Sequence, residues 1–166
     1  MAVRVPPRRG AARARGAALL LLLSLAACPA ARDRARDTAT RVVIGGTTIT
    51  VELARTPAEK EQGLGGRPGL APDTGMLFVF DEPGRYSFWM LDMEFALDFV
   101  WIRSGRIVDL TTDVPPPPTG VDPASGTLRL LEPREPVDLV LEVAAGTVAK
   151  RGFKLGDAVE IEPPPR

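Results

Sequence analysis

Between residues 42 and 161 the apolar positions fall in short runs that alternate with polar ones and are separated by Gly, Pro, Asp and Ser. A period near two marks strands joined by turns rather than helices. Val42-Val43-Ile44 and Thr47 to Leu53 are β-rich runs linked by Gly45-Gly46, a pair able to take positive φ at both centres of a tight hairpin. Thr56-Pro57-Ala58-Glu59 reads as a capping box with proline at the first helical position, so a short helix should follow and stop at Gly63 or Gly65. Gly63 to Gly75 should be loop. Apolar runs then cover Gly75 to Phe80, Tyr86 to Met90 and Phe95 to Ile102, with a turn at Pro83-Gly84.

In the last of these runs Phe95, Leu97, Phe99 and Trp101 alternate with Ala96, Asp98, Val100 and Ile102. Both faces are apolar, which predicts a strand buried on two sides. Ser104-Gly105 turns it into a hairpin partner, Arg106 to Leu110. Val137 to Val143 is a strand, Ala144 to Arg151 a short helix closed by Gly152, and Phe153 to Ile161 a last strand. Residues 113–127 hold five prolines and no periodicity, and loops of that length are usually functional or loose. The pattern predicts a mainly β fold, a small single-domain barrel or sandwich with two short helices over residues 41–162, with a disordered tail at 163–166.

Eight of the nine aromatic residues lie between Phe78 and Trp101, so the core should be densest there. Charge is distributed unevenly. Formal charge is zero over 166 residues, but five arginines precede Cys28 and every acid follows it, leaving 16 basic and 21 acidic residues, net −5, beyond that point. With only three lysines, the chain is expected to bind no nucleic acid.

Residues 1–27 have the order of a secretory signal peptide: an arginine-rich start, then an apolar run of 11 residues from Ala17 to Ala27, too short for a permanent membrane span. They end in Leu25-Ala26-Ala27-Cys28, which resembles the lipobox of bacterial lipoproteins, so Cys28 is the expected lipidation site. Residues 28–40 combine that cysteine with a small, charged segment of tether composition. By resemblance to lipoprotein sorting in enteric bacteria, Pro29 stands where retention in the inner membrane would call for aspartate, which implies the outer membrane, facing the periplasm, in a cell that has one. The expected partner is thus the membrane, through lipid, for a domain otherwise read as a monomer.

Two absences narrow the chemistry. There is no histidine and Cys28 is the only cysteine, which excludes Ser-His-Asp and Cys-His catalysis, zinc sites built on His and Cys, and disulfides within the chain. No metal or cofactor is expected. Asp92, Glu94 and Asp98 fall within seven residues beside the aromatic block, and paired carboxylates next to aromatic faces are the apparatus of glycoside hydrolysis. The alternative is that Asp92 and Glu94 sit on a turn in water. Asp98, on a doubly apolar strand, needs backbone amides or an arginine such as Arg67, Arg85 or Arg106 to hold its charge. Trp89 and Trp101 read as core before ligand platform. Trp89, Tyr86 and Arg67 are the candidates for ligand binding, together with the proline-rich loop. The leading expectation is a non-catalytic envelope lipoprotein that binds a small ligand or an envelope protein. A carboxylate-dependent hydrolase of envelope glycans and a structural accessory factor are the alternatives.

Gly63-Leu64, Arg67, Gly75-Met-Leu-Phe-Val-Phe80, Ser87-Phe-Trp-Met90, Leu97-Asp98, Gly105-Arg-Ile-Val108, Leu141-Glu-Val143, Ala145-Gly146 and Lys154-Leu-Gly-Asp157 occur in an order that resembles the prokaryotic domain of unknown function 192. The resemblance spans about residues 47–162 and implies a small, mostly β domain, often exported, without implying an activity. Members commonly carry Lys-Asn-Thr after the Phe-Trp-Met block and a proline before the Leu-Asp, where this chain has Leu91-Asp92-Met93 and Ala96. Many also carry cysteines in the segment that here spans 113–127 and has none.

Overall fold

Gly45 and Gly46, at φ 54° and 80°, close a two-residue turn between β1 (Thr40–Ile44) and β2 (Thr47–Ala54), which pair antiparallel as the alternation predicts. The computed structural model describes residues 39–118, 120 and 129–163. The signal peptide, Cys28, nearly all of the tether, much of the proline-rich loop and residues 164–166 lie outside the described residues.

After β2, Thr56 accepts from the Glu59 amide while the Glu59 carboxylate accepts from the Thr56 amide, completing the capping box of α1 (Pro57–Gln62). Gly63 ends the helix. The chain returns as β3 (Thr74–Gly84), parallel to β2, a geometry that a crossover through α1 makes possible. Then follow β4 (Leu97–Arg103), β5 (Arg106–Val114), β6 (Val137–Ala144), α2 (Thr147–Arg151) and β7 (Val159–Glu162).

All seven strands belong to one sheet, in the order β5-β4-β6-β3-β2-β1-β7. It is therefore a curled half-barrel and not a two-sheet sandwich. The two edges meet at one end, where the Ile107 amide donates to the Asp157 carbonyl at 3.0 Å and the Val159 amide to the Gly105 carbonyl at 2.9 Å. Curling wraps one face around Val42, Ile44, Leu77, Val100, Ile102, Leu141 and Phe153. The other face carries Met76, Phe78, Leu97, Phe99, Trp101 and Val140. β4 contributes to both, as its two apolar faces predict.

That outer face is too apolar to meet water, and its cover explains two departures from the expected elements. Tyr86 to Met90 forms no strand. It crosses the outer face, tied to the 131–132 segment by the Phe88–Leu131 bridge and by the Ser87 hydroxyl, which donates to Glu132, and Phe88 packs at a steep angle against Phe78, Phe99 and Trp101 at centroid distances of 5.0–5.8 Å. The Pro83-Gly84 turn is absorbed into the end of β3, where a register irregularity precedes the Gly84–Val137 pairing. The last predicted strand is shortened to β7, because Lys154 to Asp157 is a turn in which the Asp157 carboxylate accepts from the Lys154 amide.

Candidate functional site

Asp98 is completely buried on the inner face, and both carboxylate oxygens are satisfied by backbone: the amides of Asp113 and Val148 each donate at 2.9 Å. It anchors the first turn of α2 and the end of β5 to β4. Of the partners foreseen, backbone amides hold it and the arginines do not. Arg67 makes a two-pronged ion pair with Glu52 at 2.6 and 2.9 Å, Arg85 donates to the Arg134 carbonyl, and Arg106 donates to the Gly156 carbonyl. The Arg67 hydrogen bond holds the Glu52 carboxyl below its usual range. Asp98 is thus held by backbone in the interior, out of reach of solvent, whereas the carboxylates grouped with it by sequence, Asp92 and Glu94, are exposed.

Asp92 and Glu94 are exposed, as a turn predicts. Asp92 has φ 57° and its carbonyl accepts from the Gly66 amide at 2.8 Å, so the segment is stitched to the loop after α1. Both line a shallow cavity of about 540 Å³ with Gln62, Pro117 and Pro118. Tyr86 stacks on Phe80 at 3.6 Å and its hydroxyl donates to the Glu82 carbonyl. Trp89 is not core: it is 47% exposed, whereas Trp101 is fully buried with its indole N–H donating to Thr111. The reason is the crossing segment, in which Phe88 turns inward and its neighbour Trp89 therefore turns out.

Trp89 stands at the rim of a better-enclosed pocket of about 340 Å³ between α1, the outer face of the sheet and residues 87–93. Lys60, Glu61 and Gln62 form one lip. Leu64, Phe78, Phe80, Phe88, Leu91, Met93 and Leu97 supply apolar wall. Lining the same pocket is Glu142, on β6 between Met76 of β3 and Phe99 of β4. Its residue is 5% exposed, and among the described residues nothing donates to its carboxyl. Burial pushes that carboxyl up from 4.5 to about 8, so it is largely protonated at neutral pH.

Glu142 escaped sequence reasoning. In Val137-Asp-Leu-Val-Leu-Glu-Val143 it shares an alternate face with Asp138, the signature of a water-facing side. Only the aromatic cover over that face buries it. A usable signal was the apolar Val140 between the two acids. Gly75 was also left unexplained by sequence: it pairs with Val143, and a Cβ there would collide with the Glu142 carbonyl and crowd Val143 and Leu141 of the inner core, so glycine sets how closely β3 approaches β6.

Among the described residues no group of three or more His, Cys, Asp or Glu could hold a metal ion, and no helix is long and apolar enough to cross a membrane. No curated protein matches the chain significantly. Solved structures similar to the chain include two from bacteria. One, from Sinorhizobium meliloti 1021 and described as a candidate transcription regulator, is 36% identical with a TM-score of 0.63, covering 74% of this chain and 92% of that one. The other, a protein of unknown function from Novosphingobium aromaticivorans DSM 12444, is 31% identical with a TM-score of 0.63, covering 72% and 83%. The model of the domain of unknown function 192 family, described as an uncharacterised ACR, matches residues 40–161. Together with a half-barrel shared with relatives more than 30% identical, that match establishes that the chain belongs to the domain of unknown function 192 family.

Proposed function

We propose that this chain is an envelope lipoprotein, anchored through Cys28 in the outer membrane, whose β domain binds a small ligand in the Glu142 pocket without transforming it. One observation carries the binding reading: a nearly buried carboxyl without a partner lines an aromatic pocket that opens to solvent. Buried polar groups are ordinarily hydrogen-bonded within the fold, so a carboxyl at a pocket wall that no protein group serves takes its partner from whatever occupies the pocket. None of the three carboxylates that the sequence grouped lines this pocket, whose own acids are Glu142 and Glu61. Asp92 and Glu94 line the neighbouring cavity, and Asp98 is bonded to backbone on the far face.

A carboxyl raised to about 8 is also what a general acid requires, so hydrolysis of envelope glycans is the second reading, with Glu142 in place of Asp98 as the acid. Regulation of transcription, the description of the Sinorhizobium relative, gains no support from a net charge of −5 beyond Cys28.

Denaturing full-length protein purified in detergent is expected to release a small molecule, detected by mass spectrometry, that Glu142→Gln protein lacks. Glycan hydrolysis lost in the same variant would instead establish the enzyme. For the anchor, Cys28→Ser should move the protein from the membrane to the soluble fraction and abolish palmitate labelling, since several acyl chains hold where one holds marginally. Unlabelled, soluble wild-type protein would overturn it.

A further inference from the structure

We infer that the ligand of this pocket is a small organic cation, an amine or quaternary ammonium group, whose charge rests on the Glu142 carboxylate and whose substituents lie against the aromatic wall. The inference rests on the binding reading and names its ligand class. An ionised carboxylate so deeply placed is poorly solvated and lacks an internal counterion. A cation supplies one. The charged groups facing Glu142 are Lys60 and Glu61, both from α1, while β3, β4 and the covering segment present apolar side chains and Ser87. Lys60 does not neutralise Glu142: its ammonium lies over the Phe80 ring, 4.4 Å from the centroid. With Glu142 ionised the lining carries one positive and two negative charges, a field that rejects anions and attracts cations.

The walls suit the same guest. Phe80 is already occupied on its two faces, by Tyr86 and by Lys60. Phe88 is committed edge-on to the rings beneath it. The indole of Trp89 stacks on no other ring among the described residues and stands exposed at the rim, the best of the aromatic surfaces for a cation. A pocket of about 340 Å³ sets a small-molecule limit on size.

Binding a cation requires Glu142 to give up its proton, which leaves a signature that a neutral guest cannot produce. Below the carboxyl's value of about 8, affinity for a permanent cation should rise about tenfold per pH unit and then level off. A neutral guest that accepts from the protonated carboxyl should show constant affinity at low pH and lose it above 8.

Calorimetric titration of the full-length chain in detergent with choline, methylammonium and the uncharged choline isostere 3,3-dimethyl-1-butanol, at pH 6, 7, 8 and 9, tests this. Choline is expected to bind at least about tenfold more tightly than the isostere, with the rising pH profile. Glu142→Gln should remove that preference and flatten the profile. Trp89→Ala, at an exposed position that leaves folding intact, should weaken choline severalfold and keep the pH slope. Equal or tighter binding of the isostere, or an affinity that falls above pH 8, overturns the cation while leaving ligand binding in this pocket intact. Failure of both cations to bind overturns it as well. Absence of any co-purified molecule together with no binding by all three probes removes the binding reading itself.

Discussion

Asp98 and Glu142 stand on neighbouring strands of one sheet, each almost wholly buried, and they differ in everything that decides what a buried carboxylate does. Asp98, on the inner face, has two backbone amides at 2.9 Å. Glu142, on the outer face, has burial and no donor among the described residues, and its carboxyl rises to about 8. The inner face is closed by the curl of the sheet and by α2, and Asp98 serves there as a strut. The outer face is closed by a crossing segment that leaves a pocket, and Glu142 lines it. Burial alone does not single out a candidate acid; burial without a protein partner at a pocket wall does.

The comparison can be broken most directly at Asp98. Asp98→Ala leaves the Asp113 and Val148 amides unpaired in the interior and should cost on the order of 3–5 kcal/mol in urea unfolding, a large share of a small domain's stability. Asp98→Asn preserves the shape but offers one acceptor for two donors, so it should cost less, about 1–3 kcal/mol. Wild-type stability after Asp98→Ala would mean the two amides find water, and the contrast between the faces would collapse.

Glu142→Gln should act in the opposite direction, and its sign depends on pH. Below 4.5 the carboxyl is protonated in both the folded and unfolded chain, and Glu142 resembles glutamine. As pH rises toward about 8 the unfolded carboxyl ionises while the folded one does not, so wild-type stability falls across that window and then levels off. The variant should therefore match wild type near pH 4 and exceed it by on the order of 3 kcal/mol at pH 7. Equal stability at both pH values would show that the Glu142 carboxyl is solvated. At the small end, Asp92→Ala and Glu94→Ala on their exposed turn should each stay within about 0.5 kcal/mol of wild type in the same unfolding assay. A larger loss would tie the outer cavity to the core.

Much was legible because it is local. The Gly45-Gly46 hairpin, the capping box at Thr56 and Glu59, and the doubly buried β4 follow from nearest-neighbour chemistry and a two-residue period, and the structure reproduces them. The need of Asp98 for partners was equally legible, since any carboxylate among Leu97, Phe99, Val100 and Trp101 must be satisfied. Which partners it takes was not, because Asp113 and Val148 are 15 and 50 residues away and only the arrangement of β5 and α2 brings their amides together.

The same division separates the two tryptophans and the two acids. Composition and periodicity could say that residues 78–101 are rich in aromatic side chains, that β-strands dominate, and that Ser-His-Asp and Cys-His catalysis are excluded. They could not say which apolar runs become strands and which become cover, because that depends on which sheet face is left bare once the strands have paired. Phe88 turned inward over Trp101, Trp89 turned out, and Glu142, written into its strand as a water-facing residue, was roofed over. Period-two alternation fixes which side chains share a face of a strand, but whether that face meets water is a property of the assembled sheet.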